Sequence, residues 1–200
     1  MQDQKTPRRS NRDRSEDTRA RLISAARKLF SEKGYGDTGT PEIVKEAEVT
    51  RGALYHHFTD KSELFRAVAL QESRDVAQAI NQNSVHESEP VRALVSGAQA
   101  YFTAMTKPGR ARILLLEGPA VLGPDGMAEI DRETGSASLY KGLEWAARSA
   151  NRPDLPLGEL TTLLSAGFDR AALEIAMGGE STGYIRAFES LLQSLFPAQK

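Results

Sequence analysis

Apolar residues recur at helical spacing through most of the chain, and no stretch alternates with the two-residue period of a strand. At Ser15, Glu16 and Asp17 the sequence offers a cap and negative charge for a helix start. Five residues then share one helix face: Leu22, Ala25, Ala26, Leu29 and Phe30. Gly34 follows as a C′ glycine. The pattern predicts a first helix over residues 15–33 and an all-α fold of about nine helices.

The next segment predicts a short helix and a tight turn. Thr40 is placed to cap free N–H groups, and Pro41 suits the first helical position. The turn is predicted at Glu48-Val49. The apolar face of this helix holds Ile43, Val44 and Ala47.

A second short helix is predicted over residues 51–58, with Thr50 as its N-cap and Leu54 and Phe58 four residues apart on its apolar face. Two helices this short bury too little surface to be stable alone, so neighbouring helices must hold them. A helix-turn-helix over residues 40–58 fits this description, with its second helix presented to a DNA major groove.

A long helix follows over residues 62–81, and Asp60 and Glu63 have capping-box spacing at its start. Later helices are predicted over 91–105, 127–150, 157–177 and 184–196. Apolar residues 110–116 are interrupted at Glu117-Gly118-Pro119, and Gly123-Pro124-Asp125-Gly126 predicts a turn.

These elements divide the chain into three parts. Residues 1–14 carry five basic residues without an apolar pattern and are predicted to form a disordered arm, either a solvated tail or a source of attraction to DNA phosphates and the minor groove. A helix-turn-helix DNA-binding domain is predicted over 15–75, and a helical C-terminal domain over 76–200.

Composition narrows the functional classes. The 200 residues are 40% apolar and 26% charged, as in ordinary soluble globular proteins. No apolar run approaches the roughly 20 residues that span a bilayer, and the N-terminus lacks a secretory signal. The absence of Cys excludes disulfides, thiolate nucleophiles and Cys-ligated metals. We expect a cytoplasmic protein.

Charge is unevenly distributed. Residues 1–61 carry 13 Lys and Arg against 10 Asp and Glu, a net charge of +3, and the other residues carry 13 against 17, a net charge of −4. A basic head on an acidic body suits a DNA-binding domain joined to a domain that does not bind DNA, although an excess of three charges also arises by chance.

A series of motif positions runs through the first three predicted helices. It comprises Ile23-x-x-Ala26-x-x-Leu29-Phe30, Gly34-Tyr35, Ile43, Ala47-x-Val49-Thr50-x-Gly52-x-Leu54-Tyr55-x-His57-Phe58, Lys61 and Leu64. Residues 18–68 thereby resemble the N-terminal domain of TetR/AcrR-type transcriptional regulators. Glu48 departs from this pattern, because the family most often has Gly at this turn. If the turn requires a positive φ, a non-Gly residue costs about 1 kcal/mol.

The resemblance and the predicted positions together suggest nine DNA-contacting residues: Thr40, Thr50, Arg51, Gly52, Ala53, Tyr55, His56, His57 and Lys61. Arg51 is the best candidate to read a base, by a bidentate contact to guanine. Gly52 allows close backbone approach, and Ala53 suits a thymine methyl. The others are expected near phosphates or the groove. For Tyr55, the alternative is a half-buried aromatic residue.

No metal site or cofactor is predicted. His56 and His57 are adjacent on a helix and point about 100° apart, so they do not converge on one ion. His86 lies far away in a predicted loop.

The last two helices are expected to form a homodimer interface, as they usually do in the family. Their small residues allow close helix approach: Ala166, Gly167, Ala171 and Ala172. The apolar face over residues 184–196 supplies area for contact. An intramolecular core is the alternative, and both can hold in part.

The resemblance implies a ligand pocket within residues 91–175. The candidate residues are Tyr101, Phe102, Met105, Glu117, Tyr140, Trp145, Phe168 and Arg170, with Glu144 and Glu174 as further polar anchors. The apolar candidates have plain core packing as their alternative. Glu117 lies in an apolar segment and needs a partner, either Arg112, Arg170 or a ligand.

The sequence therefore predicts a ligand-responsive transcriptional regulator, a repressor that binds a palindromic operator as a homodimer and is released by a small-molecule effector. A structural DNA-binding protein without an effector is one alternative. An all-α enzyme is another, but the chain has no Cys, one His outside the DNA motif and no Ser motif with a partner. An activator is the alternative to a repressor, and the operator, the effector and the regulated genes stay open.

Overall fold

The computed structural model describes residues 11–84, 86–134 and 137–197. These residues form nine α-helices and a π-helical turn and contain no strand, so the all-α prediction is confirmed. The elements are α1 Asn11–Glu32, α2 Thr40–Glu46, α3 Arg51–His57, α4 Lys61–Ser84, α5 Pro90–Met105, the π-helical turn Arg112–Glu117, α6 Gly118–Thr134, α7 Ala137–Ser149, α8 Leu157–Ala176 and α9 Ser181–Leu195.

The chain divides into two compact units, residues 1–68 and 69–200. The division lies within α4, as does the boundary predicted at residue 75, which stays a prediction. In the described part of the chain, no helix is both long enough and apolar enough to cross a membrane.

The core of the first unit is built on α1, whose five predicted core residues are all buried. The helix starts at Asn11, so the prediction of a disordered arm is wrong for residues 11–14, and residues 1–10 lie outside the described part. An Arg12–Glu16 ion pair of 2.9 Å and the acidic Asp13 in the first turn extend the helix. Gly34 has φ of +92°, as expected for a C′ glycine.

The start of α2 differs from the prediction. Gly39 is the N-cap, its carbonyl accepting from Glu42 and Ile43, and no side chain caps this end. Thr40 is the first helical residue, and Pro41 lies in the first turn, where its missing N–H leaves no bond unmade. The prediction that Thr40 caps this helix was wrong. It was made because Thr is found at the N-cap more often than Gly is.

The second unit is organised around α5, which packs against α7, α8 and α9. Phe102 and Met105 of α5 are almost completely buried, together with Leu143 of α7 and Leu192 of α9. A Cβ at Gly142 would lie 2.5 Å from Leu94, so glycine permits the close approach of α5 and α7.

Three predictions between residues 110 and 150 are wrong. No loop separates residues 117–119, because the Gly118 N–H reaches back five residues to the Ile113 carbonyl and the π-helical turn continues directly into α6. The expected turn at 123–126 is a kink at Gly123, whose φ of +70° and ψ of 175° interrupt α6 before Pro124.

The single helix predicted over 127–150 is two helices, α6 and α7. At the end of α6, the Thr134 hydroxyl donates to the carbonyls of Ile130 and Asp131. Such bonds compete with the helical ladder, and Gly135 follows in the sequence.

Candidate nucleic-acid interface

The turn between α2 and α3 is held in an unusual backbone conformation. Glu48 has a φ of +50°, which lies in the left-handed region. The turn therefore does require a positive φ at the position where the family most often has Gly. Arg21 of α1 donates to the Glu48 carbonyl at 3.1 Å and to its carboxylate at 3.2 Å. The Val49 N–H donates to the Val44 carbonyl at 3.0 Å. These contacts hold the turn despite the steric cost of a non-Gly residue.

Helix α3 is anchored at both ends. The Thr50 hydroxyl accepts from the Ala53 N–H at 3.1 Å, which confirms the predicted N-cap. Leu54 and Phe58 are buried, as predicted, and the Arg19 guanidinium lies 5.1 Å from the centre of the Phe58 ring. The helix is therefore fixed on the core side while its opposite side faces solvent.

The solvent side of α3 brings together Thr40, Arg51 and Tyr55. The Arg51 Cζ lies 5.5 Å from the centre of the Tyr55 ring, and hydrogen bonds from Arg51 and then Thr40 lower the pKa of Tyr55. Tyr55 is 45% exposed, so it presents a polar tip and much of its ring outward. This cluster joins the start of α2 to the first turns of α3.

Neither a close contact nor the backbone conformation of the described chain requires glycine at position 52. A Cβ there would have its nearest neighbour, the Thr50 Oγ1, at 3.8 Å, an ordinary contact. Gly52 is exposed and is not among the positive-φ residues of the described chain. Nearby, Ala53 is half-buried. Space over Gly52 leaves the α3 backbone open to close approach by another molecule.

The two adjacent histidines differ in their surroundings. His56 is exposed, whereas His57 is half-buried, and burial, followed by repulsion from His56 and Arg19, lowers the pKa of His57. Their rings are 5.2 Å apart at 71°. Among residues 11–84, 86–134 and 137–197, no group of three or more His, Cys, Asp or Glu could hold a metal ion.

Lys61 has an internal role that sequence reasoning missed. Its ammonium donates to the Tyr35 carbonyl at 2.8 Å and the Thr38 carbonyl at 3.0 Å, and lies 4.1 Å from the centre of the Tyr35 ring. These contacts fasten the start of α4 to the loop that precedes α2. These two bonds use two of the three ammonium protons.

Helices α1 and α2 are also joined by ion pairs that the sequence pattern did not predict. Lys28 pairs with Glu46 at 2.7 Å and Lys33 with Glu42 at 2.6 Å. The sequence shows opposite charges on these two neighbouring helices, which indicates that ion pairs can form between them. Which residues pair depends on how the helices pack.

The predicted ligand residues separate into two groups. Tyr101, Phe102 and Phe168 lie together, with ring centres 5.6–6.0 Å apart, in a cluster that also contains Tyr184 and Phe188. The Tyr101 hydroxyl donates to Asp169 at 2.7 Å. Met105 is buried.

Of the other candidates, Glu174 joins this ring cluster, because the Tyr184 hydroxyl donates to its carboxylate. Tyr140 and Trp145 are 40% and 39% exposed. Glu117 accepts from Arg112 at 3.0 Å, one of the partners expected for it. On exposed helix faces, Arg170 pairs with Glu174 and Glu144 with Arg148. A surface groove of about 570 Å³ has a lining that includes none of these candidates.

Large apolar side chains are exposed on and just after the last two helices. Leu163 of α8 is 72% exposed, Leu191 of α9 54%, and Met177, which ends α8, 78%. The four small residues proposed for close helix approach divide: Ala166 and Gly167 are exposed, whereas Ala171 and Ala172 are buried. Ala171 and Ala172 therefore fit the alternative of an intramolecular core.

Known proteins resemble the chain over both units. The family described as bacterial regulatory proteins, tetR family, matches residues 22–68, and the tetracyclin repressor-like C-terminal domain matches residues 91–196. The HTH-type transcriptional regulator TtgR of Pseudomonas putida is 32% identical over 195 residues, which cover 94% of this chain and 87% of that protein.

Two further similarities extend over nearly the whole chain. The HTH-type transcriptional repressor AcnR of Corynebacterium diphtheriae is 24% identical over 181 residues, covering 90% of this chain and 93% of that protein. The crystal structure of a TetR-family transcriptional regulator from Pectobacterium atrosepticum is 29% identical, has a TM-score of 0.72, and covers 96% of this chain and 100% of that one.

Proposed function

The chain belongs to the TetR family of transcriptional regulators, and from that premise we propose that it is a homodimeric repressor that binds a palindromic operator and is released by a small-molecule effector. The observation that carries the DNA half is the exposed cluster of Thr40, Arg51 and Tyr55 on a helix whose other side is buried. A helix anchored in this way presents a fixed set of donors to a major groove.

Each exposed residue of α3 suits a particular part of DNA. The Arg51 guanidinium can donate two hydrogen bonds to the O6 and N7 atoms of guanine. Tyr55 and Thr40 carry hydroxyls suited to phosphate oxygens, and Gly52 leaves room for the sugar–phosphate backbone. Thr50, Ala53, His56, His57 and Lys61 complete the proposed surface.

The DNA contacts can be tested by gel shift with a duplex enriched by the wild-type protein from a random pool. Arg51→Ala should weaken binding by about 5- to 150-fold, which corresponds to 1–3 kcal/mol for a lost base contact, and Tyr55→Ala should also weaken it. Arg92→Ala is the control, because Arg92 is an exposed arginine of α5 in the second unit. Unchanged binding in both α3 variants would refute the proposed interface.

The effector is proposed to bind the second unit within residues 91–175. The rings of Tyr101, Phe102 and Phe168 provide an apolar aromatic surface, and Tyr101 with Asp169 adds a polar group. Such a combination suits a small, largely apolar molecule. The other proposed contacts are Met105, Glu117, Tyr140, Trp145 and Arg170. Effector binding is proposed to act through α4 and to weaken operator binding by a coupling free energy of about 1–3 kcal/mol.

Effector binding can be tested by thermal shift with a library of small aromatic and aliphatic compounds. A compound that stabilises the protein should also reduce operator binding, because a ligand that binds one state better shifts the population toward it. If no compound does so, a structural DNA-binding role without an effector is favoured. Because the proposed partner is chromosomal DNA, we place the protein in the cytoplasm.

A further inference from the structure

Arg19 is an exposed residue of α1 whose guanidinium is held in place by stacking. Its Cζ lies 5.1 Å from the centre of the Phe58 ring, and Phe58 is only 2% exposed. Stacking on a buried ring restricts a long side chain, and it leaves the N–H groups at the edge of the guanidinium plane able to donate. In the part of the chain that the structure describes, these N–H groups donate to no other residue.

The charge of Arg19 lies beside the C-terminal end of α3. Burial, repulsion from His56 and then repulsion from Arg19 lower the pKa of His57, the last residue of that helix. The Glu63 carboxylate is near enough for Arg19 to lower its pKa, but the hydrogen bonds from Thr59 are the larger cause. The Thr59 N–H donates to Glu63 at 2.6 Å, and no ion pair joins this carboxylate to Arg19 among the described residues. The guanidinium therefore keeps donors for an anion from outside the chain.

Arg51 and Arg19 lie at opposite ends of α3. Arg51 begins the helix, whereas Arg19 lies beside its last residue, His57. Seven helical residues at a rise of about 1.5 Å each span roughly 10 Å. The DNA major groove is about 12 Å wide, and phosphates border it on both sides. With Arg51 on a base inside the groove, a cation about one helix length away lies near the phosphates at the edge of the groove.

We propose that Arg19 binds a phosphate of the operator backbone and thereby extends the DNA-binding surface from the helix-turn-helix onto α1. The inference rests on the proposed function. A guanidinium can donate two parallel hydrogen bonds to phosphate oxygens, and such a contact fixes the position of α3 without reading a base. Arg19 lies outside residues 22–68, which match the family, and is absent from the nine contacts predicted from the sequence.

The test measures how DNA affinity depends on salt in the full-length protein. Arg19→Gln and Arg19→Met remove the charge, and the long apolar side chain of Met can still cover the Phe58 ring. Arg19→Lys keeps the charge. Lys28→Gln is the matched control, because Lys28 is an exposed cation of the same helix and already pairs with Glu46 at 2.7 Å. Each variant is titrated below its unfolding temperature with the duplex that the wild type enriches from a random pool, and with an unrelated duplex of equal length.

Removal of the Arg19 charge should reduce the slope of log K against log salt by about 0.9 for each protein copy on the duplex, the value for one phosphate contact. The Kd should rise by about three- to tenfold, and by a similar factor for both duplexes, because a phosphate contact carries no sequence information. Arg19→Lys should keep the wild-type slope but lose part of the affinity, since an ammonium lacks the two-pronged geometry. Lys28→Gln should keep both the slope and the Kd of wild type.

A purely structural Arg19 gives a different result. The thermal midpoint would fall in Arg19→Gln while the salt slope and the Kd of the folded protein stayed at the wild-type values, and this outcome overturns the proposal. Equal changes of slope in Arg19→Gln and Lys28→Gln also overturn it, because they would reflect net charge alone. If Arg19→Gln does not fold, Arg19→Met decides by the same criteria. If the wild-type protein enriches no duplex, the proposed function fails, which is a separate result from an enriched duplex whose binding does not depend on Arg19.

Discussion

Arg21 of α1 donates to both the backbone carbonyl and the carboxylate of Glu48, the residue that holds the helix-turn-helix turn at a φ of +50°. A contact between α1 and this turn thus supports a backbone conformation that favours glycine. The position of α3 depends on this arrangement, because the turn sets the direction in which α3 leaves α2.

The positive φ of Glu48 predicts effects of different size for two substitutions. Glu48→Gly should change the free energy of unfolding by less than about 1 kcal/mol, because relief of steric cost offsets the lost ion pair and the added chain entropy. Glu48→Val should lower it by about 1–3 kcal/mol, since a β-branched residue strongly disfavours positive φ. Urea unfolding monitored by circular dichroism measures both. Equal stability of the Val and Gly variants would contradict this explanation.

The Lys61 contacts predict a structural cost that a phosphate-binding lysine alone would not have. Lys61→Met should lower the free energy of unfolding by about 1.5–3 kcal/mol, because two carbonyls lose a charged donor. Lys45→Met is the control, as Lys45 is exposed on α2, and should stay within about 0.5 kcal/mol of wild type. Urea titrations of the two variants provide the comparison. Equal effects would remove the structural role of Lys61.

Features encoded in neighbouring residues could be predicted from the sequence. The buried face of α1, the Thr50 cap and the helix end at Gly34 all depend on residues within a few positions. The start of α1 at Asn11 was not predicted, although the sequence contains a local signal for it. Arg12 and Glu16 have the i,i+4 spacing of a helical ion pair.

Contacts between distant residues could not be predicted in the same way. Lys61 and Tyr35 are 26 positions apart, and Arg110 and Glu72 are 38 apart. Their pairing depends on how the helices pack, which periodicity does not specify. The π-helical turn was missed because Gly and Pro usually end helices, whereas here a bond reaching back five residues continues the helix. In the predicted ligand region, the rings of Tyr101, Phe102 and Phe168 cluster, while Tyr140 and Trp145 are more exposed.

Two carboxyl groups of the second unit predict a pH dependence of stability. Burial raises the pKa of Asp131, the charge of Asp169 raises it further, and burial also raises the pKa of Asp169. Above the ordinary aspartate value of 3.8, the folded state therefore binds more protons than the unfolded state. By linkage, this contribution to stability falls as pH rises from that value through the raised folded pKa.

Asp131→Asn should therefore stabilise the protein at pH 7, and its advantage over wild type should shrink toward pH 4, where the carboxyl is increasingly protonated. The thermal midpoint measured from pH 4 to 7 provides the test. Asp125→Asn is the control, because it changes another exposed carboxyl group of the same helix, α6. A constant or inverted difference between Asp131→Asn and wild type would contradict the assigned direction of the pKa.

The exposed leucines of α8 and α9 predict the effect of charge on assembly. Leu163→Glu and Leu191→Glu should convert the proposed dimer to monomer and weaken operator binding, because each places a carboxylate in an apolar interface. Leu116→Glu changes a leucine that is 55% exposed outside the two helices and should leave the dimer intact. Sedimentation velocity distinguishes these outcomes. Dimers that persist in both α8 and α9 variants would place the interface elsewhere.

Selection of bound duplexes from a random pool by the full-length wild-type protein tests the central claim most directly. The account predicts enrichment of two inverted half-sites at a fixed spacing, since two copies of α3 related by two-fold symmetry read the same bases in opposite directions. In a selection with the Arg51→Ala variant, the base preference at the position that Arg51 reads should disappear. A pool without enrichment, or one enriched equally by the wild type and the Arg51 variant, would contradict the account.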